Sequence, residues 1–451
     1  MDTKELITKL KENQHNKIKV AITDIDGVLR GKIMHRDKLI SVLEGGFGFC
    51  SVVFGWDMAD ADYTNDVSIT GWHTGYGDMS ANIDISTHRN IPWEDNTPFF
   101  LADFSGGEGE AVCPRSLLKK VLKEAEAEGF TPMFSQEFEW FNYRETSNSL
   151  NDKNFQDIKP ITPGMFGYSL LRMSENSGFF TDMFDLLESF GIPLEGLHTE
   201  TGPGVTEAAI QYSTIIESAD RAVLFKTAVK EIGYRHGIIP SFMAKQNSQL
   251  PGCGGHIHQS LWDSNKKNNL FYDATSADGM SELMKHYLAG QLHCLSDILP
   301  LFAPTINSYK RLVEGAWAPT TLTWGKDNRT TALRVLADGK KSARIEHRVV
   351  GADVNPYLAM AACLASGLYG IKNKLKLEVA PTIGNGYKNF DNGILPTNLW
   401  EASQRMKNAP IAEQLFSKTF VDHFTKTRDW EWKKFAAEVT DWETKRYFEI
   451  I

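Results

Sequence analysis

The sequence predicts an α+β chain in two parts: a small β-rich domain over residues 1–105 and a large α/β domain over residues 106–451. Three observations predict it. Residues 42–105 are rich in Gly, Asp, Trp and turn signals, with few helical stretches. Gly106-Gly107 with Gly109 then interrupts the pattern. Beyond that break, strand-like and helix-like segments alternate to the end of the chain.

Taken in order, residues 2–12 predict a short helix, Lys19 to Asp24 a strand, and Gly31 to Ser41 a small mixed region. Asp24-Ile-Asp26-Gly27 follows the first strand and admits two readings. One is the DxDG nucleophile motif of haloacid-dehalogenase-like phosphatases, in which a carboxylate forms an aspartyl-phosphate. The other, which we favour, is a β-hairpin turning at Asp26-Gly27. No Rossmann-type helix pattern follows Leu29, and Gly77-Asp78 comes too early for that family's metal motif. Pro114 to Glu128 is an amphipathic helix with Pro at its start and Gly129 past its end. Asn355 to Tyr369 predicts a tightly packed helix, and the last helices run from about Asn398.

Bulk composition narrows the function. At 42% hydrophobic and 23% charged, the chain is an ordinary globular protein. Its net charge of −9 and lack of any Lys/Arg run argue against a nucleic-acid partner. Cys50, Cys113, Cys253, Cys294 and Cys363 are far apart and form no CxxC, so neither a zinc finger nor a disulfide framework is expected, and a reducing cytoplasm fits. Met1 to Glu12 is charged and lacks the apolar centre of a signal peptide. No apolar run approaches the roughly 18 residues of a membrane helix.

Three segments place ionisable groups at every second position: Glu137-Phe-Glu139, His256-Ile-His258 and Arg344-Ile-Glu346-His-Arg348. In a strand such residues share one face, while Phe138, Trp140, Ile257, Ile345 and Val349 suit a core on the other. Unpaired buried charges are costly, so the groups need partners. Metal ions and a polyanionic substrate satisfy them together. Adding Glu200 and Glu207, which flank a Gly/Pro loop, gives five glutamates and one histidine, a hard donor set suited to Mg²⁺ or Mn²⁺ rather than zinc. Taken singly, each Glu reads better as a solvated surface charge, and the histidine pair reads equally well as backbone-bonded strand residues. Arg311, Arg329, Arg334, Arg344 and Arg348 crowd fewer than forty residues. Beside those glutamates they read as a clamp for phosphate and carboxylate, with a solvated arginine face as the bland alternative. No P-loop and no GxGxxG after a strand occurs, so any ATP is held by another architecture.

These residues resemble the glutamine synthetase family over nearly the whole chain. The similarity lies in Glu137-Phe-Glu139-Trp-Phe, the Glu200–Glu207 segment, Phe242-Met-Ala-Lys245, and Gly252-Cys-Gly-Gly-His256-Ile-His258-Gln-Ser260-Leu. It continues in Asn307-Ser-Tyr-Lys-Arg311-Leu, Asn328-Arg329, Arg344-Ile-Glu346-His-Arg348 and Asn355-Pro-Tyr. The resemblance implies an N-terminal β-grasp domain, a catalytic α/β domain, and a homo-oligomer of two stacked rings, a dodecamer, with active sites between neighbours. It implies that Glu139, Glu200 and Glu207 hold one metal, and that Glu137, His256 and Glu346 hold another beside ATP. By the same token Gly252, Arg311 and Arg348 bind glutamate, while His258, Ser260, Arg334 and Arg344 face the nucleotide phosphates and Arg329 acts in phosphoryl transfer.

Two departures are informative. The family's flap carries a Glu that helps to bind ammonium. Here the segment is Glu314-Gly-Ala-Trp317-Ala-Pro319, with Trp317 at that position. The family's ammonium-deprotonating Asp lies in a segment that is degraded here to Asp66-Val-Ser-Ile-Thr-Gly71-Trp72, leaving Asp66 as its best candidate, ahead of Asp57 and Asp78. Val205 also replaces a usual Gln, and no adenylylation tyrosine segment is evident. An indole binds a cation by its face and an alkyl group by apolar contact. The expectation is therefore an ATP-dependent ligase of the γ-glutamylamide or γ-glutamylpolyamine branch, joining glutamate to an organic amine. Glutamine synthetase proper and a non-catalytic structural relative are the alternatives; the latter is expected to have lost metal ligands, and none is lost.

Overall fold

In the computed structural model, which describes residues 2–13, 15–43 and 45–451, strand periodicity divides the core in two. The first sheet comprises β1 (Lys17–Thr23), β2 (Leu29–His35), β3 (Phe47–Cys50), β4 (Asp78–Ile91) and β5 (Thr97–Phe104), in the order β2-β1-β5-β4-β3. β1 and β5 pair in parallel at the centre, and the other pairs are antiparallel, which is the β-grasp pattern. Ile18, Val20 and Ile22 of β1 and Phe100, Ala102 and Phe104 of β5 fill one core cluster. Their alternates Ala21, Phe99 and Leu101 join the core of the rest of the molecule. Every residue of β5 is buried, as expected of a strand covered on both faces.

The second sheet has nine strands: β6 (Phe130–Tyr143), β7 (Leu194–Thr199), β8 (Val205–Ile210), β9 (Ser213–Thr214), β10 (Ile239–Ser241), β11 (Ile257–Asp263), β12 (Trp324–Lys326), β13 (Leu333–Leu336) and β14 (Arg344–His347). Its main path is β12-β13-β14-β11-β6-β8-β7, and β9 and β10 also pair with β6. Along β6, Phe134, Gln136, Phe138 and Trp140 are buried, while Ser135, Glu137 and Glu139 are only partly so. Phe138 stacks on Phe225 of the helix Ile215–Arg235, with ring centroids 5.7 Å apart. That helix fixes which face of β6 is core and so turns the two glutamates to the open side.

The helix Pro356–Lys372 is buried on nearly all sides, packed between the helices Glu282–Cys294 and Pro114–Ala127. The contact with Glu282–Cys294 needs glycine: a Cβ on Gly290 would lie 2.3 Å from the Ser366 carbonyl oxygen.

The Asp24–Gly27 motif is a hairpin turn between β1 and β2. Asp24 accepts hydrogen bonds from the backbone N–H groups of Asp26 and Val28 and pairs with Arg30 at 3.0 Å. Asp26 pairs with the buried Arg428 at 2.5 Å, and the Asn355 amide donates to the carbonyls of Asp24 and Ile25. The motif ties the first sheet to the helices Pro356–Lys372 and Lys418–Ala437; its carboxylates are engaged, and a phosphatase role is dropped.

Candidate active site

The open face of the second sheet lines a cavity of about 760 Å³. Register brings its polar groups together. β11 lies between β6 and β14, with His258 opposite both Ser135 and Glu346. This places the histidines between Glu137 and Glu346: His256 Nδ1 is 2.8 Å from Glu137 and 3.5 Å from Glu346. Donor atoms of Glu137, His256 and Glu346 all lie within 4.8 Å of one another. His258 Nε2 approaches the other oxygen of Glu137 at 3.3 Å, and its Nδ1 accepts from Arg344 at 3.1 Å. Arg348 and Arg334 both pair with Glu346, Arg334 at 2.6 Å.

A second group forms across β6, β8 and β7. Glu207 stands opposite Glu139 on one side and His198 on the other. The donors that converge within 4.8 Å are His198, Glu200 and Glu207. Glu139 lines the same cavity, and one of its oxygens accepts from the Gly254 backbone N–H at 2.6 Å. His198 was absent from the expected ligand set. Its signal was the same two-residue alternation, His198-Thr-Glu200, in a segment too short to stand out.

Electrostatics separate the two groups. Burial alone would raise the Glu346 carboxyl, but the Arg348 charge, with His258 and His256, holds it down at about 2. Desolvation would raise the partly buried Glu137 too, yet the His258 charge and hydrogen bonds from both histidines hold it well below the usual carboxylate range. Glu207 lacks such close partners, with His198 Nε2 3.8 Å away. Burial, then the charges of Glu137, Glu139, Glu200 and Glu346, push it up to about 10. A carboxyl so placed ionises only beside a cation. With oxygen-rich donors and one imidazole in each group, the residues fit divalent cations.

Around these groups lie the other expected site residues. Arg311 is buried and donates to the carbonyls of Val349 and Arg348, with His256 Nε2 3.3 Å away. Gly252 packs on it so closely that a Cβ would fall 2.7 Å from Arg311 Cγ. Arg329 and Trp317 line the cavity, and the Arg348 guanidinium reaches the carbonyl of each, at 3.0 and 3.5 Å. Trp317 is 65% exposed and held at φ 56°. Tyr168 is held at φ 53°, stacked on His198 at 4.5 Å. Bulky residues held in the left-handed region cost about 1–3 kcal/mol each and cluster where geometry is functional. Met165 and Val313, also unassigned by the sequence, complete this rim.

Two expected residues sit apart. Ser260 shares the β11 face with His256 and His258, but its hydroxyl bonds Met133 and Trp262 and does not line the cavity. Asp66 lies in a separate depression with Asn65, Trp430 and Lys433, its carbonyl bound by Lys426 at 2.9 Å. It does not reach the cavity of its own chain.

Two cation-ready carboxylate groups flanked by arginines define, first, a site of the phosphoryl-transfer class. Residues 111–447 match the family model described as the glutamine synthetase catalytic domain, and the chain belongs to the glutamine synthetase family. It is 52% identical over its whole length to a protein of Dictyostelium discoideum named type-1 glutamine synthetase 2, of which it covers 87%. It is 34% identical, again over its whole length and 99% of the relative, to a glutamate–isopropylamine ligase of a Pseudomonas species. Among solved structures, a GmaS/ADP complex superposes with a TM-score of 0.85 at 25% identity, over 98% of this chain and 99% of that one.

Proposed function

We propose that this chain is an ATP-dependent carbon–nitrogen ligase that joins the γ-carboxylate of L-glutamate to an organic primary amine. The observation that carries the reading is Trp317. An indole stands on the cavity rim at the flap position, and the neighbouring flap carboxylate, Glu314, is engaged by Lys388 at 2.5 Å. Ammonium is small and strongly hydrated and needs anionic oxygens at short range, which an indole does not supply.

In this reading Arg311, Arg348 and Gly252 hold glutamate, with Arg311 pinned by two backbone carbonyls so that its orientation is set before substrate arrives. His258, Arg334 and Arg344 face the phosphates, with Ser260 supporting that strand face. Glu137, His256 and Glu346 hold one Mg²⁺ or Mn²⁺; Glu200 and Glu207 hold another, with Glu139 and His198 on either side of Glu207. The cations supply charge neutralisation for the transferring phosphoryl. A carboxylate is a poor electrophile, so its activation as γ-glutamyl phosphate gives the amine a good leaving group to displace. Arg329 stabilises the charge that develops on the phosphoryl oxygens. The products are a γ-glutamylamide, ADP and phosphate.

Residues 1–105 form the β-grasp domain and 106–451 the catalytic domain of a cytoplasmic dodecamer of two stacked rings. Asp66 and Trp72 then serve the site of a neighbouring subunit, which accounts for Trp72 being 78% exposed and Asp66 lying away from its own cavity. No helix among the described residues is long and apolar enough to cross a membrane.

The test is phosphate release from ATP and glutamate with ammonium, methylamine, longer alkylamines, a diamine and an aromatic amine. At least one organic amine should exceed ammonium by about tenfold or more in kcat/KM. Trp317→Glu should narrow that ratio and leave the glutamate KM near its starting value. A second reading, glutamine synthetase proper, is favoured by the name of the Dictyostelium relative; ammonium as the best nucleophile would establish it. Retention of both carboxylate groups weighs against a non-catalytic relative.

A further inference from the structure

We propose that Asp327 is a positioning residue for the nucleotide: it holds the Arg334 guanidinium in the orientation that meets the phosphates. The inference rests on the phosphate-facing role given to Arg334 above and is independent of which amine is used.

Arg334 is held by two carboxylates. It donates from Nε at 2.9 Å and from Nη2 at 2.6 Å to one oxygen of Asp327, and from Nη1 at 2.6 Å to Glu346. A guanidinium carries five N–H groups in one plane, so these bonds fix its tilt as well as its position. One N–H on each terminal nitrogen is left over for a ligand, and Arg334 lines the cavity. The two anchors differ in kind. Glu346 belongs to a cation-ready group with Glu137 and His256, so Arg334 must share its oxygens with any cation held there. Asp327 lies outside both such groups and is the anchor that remains.

The backbone gives Asp327 a fixed place. It follows β12, and its N–H donates to the Val335 carbonyl of β13 at 2.9 Å. Its φ of 47° is left-handed, a conformation that Asp and Asn tolerate and most other side chains resist. Asn328, next in the chain, pins the turn. Its amide nitrogen donates to the carbonyls of Thr382 and Gly384, and its amide oxygen accepts from the Thr330 N–H and hydroxyl. Arg329, proposed above to act in phosphoryl transfer, leaves the same turn. All of these contacts form within one chain.

Stability does not account for the pair. The Asp327 side chain is 59% exposed, and an ion pair so open to water adds little to folding. A carboxylate beside a phosphate site also repels the ligand. As a solvated charge, Asp327 would be neutral for nucleotide binding or would weaken it, and its removal would leave affinity unchanged or improve it. As an anchor, its removal frees the Arg334 side chain to swing, and affinity falls.

Calorimetric titration with the Mg²⁺ complex of a non-hydrolysable ATP analogue, beside steady-state kinetics, separates the two. Asp327→Gly suits the left-handed backbone and removes the carboxylate, whereas Asp327→Asn keeps an uncharged acceptor. Asp327→Gly should weaken analogue binding and raise the ATP KM by about fivefold or more, while the glutamate KM stays within about twofold. Asp327→Asn should fall between it and the wild type. In an Arg334→Gln background the same Asp327→Gly change should alter affinity by less than about twofold, because the group it acts through is gone. Unchanged or tighter binding in Asp327→Gly overturns the proposal. So does an equal loss in both backgrounds, which would assign Asp327 to the turn alone. If Arg334→Gln binds the analogue as tightly as the wild type, Arg334 does not face the phosphates, and the inference falls with that part of the parent reading.

Discussion

Glu207 shows how single residues shape this site. It lies between Glu139 and His198 in one cross-strand row, and burial with four nearby carboxylates raises it from 4.5 to about 10. A carboxyl raised in the fold keeps its proton where the unfolded chain has lost it. Stability in the absence of divalent ions should therefore fall as pH climbs from about 4.5 toward 10. A cation replaces that proton, so its binding should release about one proton per chain at pH 8. Calorimetric titration of Mg²⁺ in buffers of different ionisation enthalpy measures the release directly; binding with no proton released would refute the assignment. Glu346→Ala removes a carboxylate that two arginines share and should lower turnover by at least about 100-fold. Near-normal turnover in that variant would remove Glu346 from the site. His198→Ala should raise the half-saturating Mg²⁺ concentration about tenfold or more, with a smaller effect on turnover at saturating metal.

At the scale of elements, the three strands that carry β6, β11 and β14 chemistry were legible because period-2 alternation is a local property. Glu137, Glu139, His256, His258 and Glu346 announce their face within three to five residues of sequence. The row Glu139–Glu207–His198 was not legible in the same way. It exists only through the pairing of β6 with β8 and of β8 with β7, and no local pattern encodes that register. The β1–β2 hairpin was legible from Asp26-Gly27, but its purpose was not. Its docking depends on Arg428, some four hundred residues later in the chain. That contact yields a stability prediction. Arg428 is 2% exposed, bonds the Pro304 carbonyl at 2.7 Å and pairs with Asp26. Asp26→Ala removes its direct ion-pair partner and leaves the buried charge to the more distant Glu431, at a cost of about 3–5 kcal/mol. The urea unfolding midpoint should fall accordingly, and a variant within about 0.5 kcal/mol of the wild type would show that the latch does not hold the first sheet to the helix Lys418–Ala437.

At the scale of the whole molecule, the position of Asp66 matters most. Its segment was singled out for a role at the amine, yet in its own chain Asp66 is bound to Lys426 beside Trp430, outside the cavity lined by Glu137, Arg329 and Trp317. The family resemblance implied active sites between neighbours, but local motifs do not encode which copy would supply each half of such a site. If the Asp66 of one subunit completes the cavity of the next, each active site has two owners. Asp66→Ala and Arg329→Ala should then each be nearly inactive alone. In co-expressed mixed assemblies, a site is intact when one neighbour supplies Arg329 and the other supplies Asp66. For equal, random mixing this holds for about one site in four, so activity should recover to roughly a quarter of wild type. Sites built within a single chain predict no recovery, since every chain carries one lesion. Light scattering on the same samples provides the independent check: a fully active monomer at micromolar concentration would rule out shared sites whatever the mixing experiment returned.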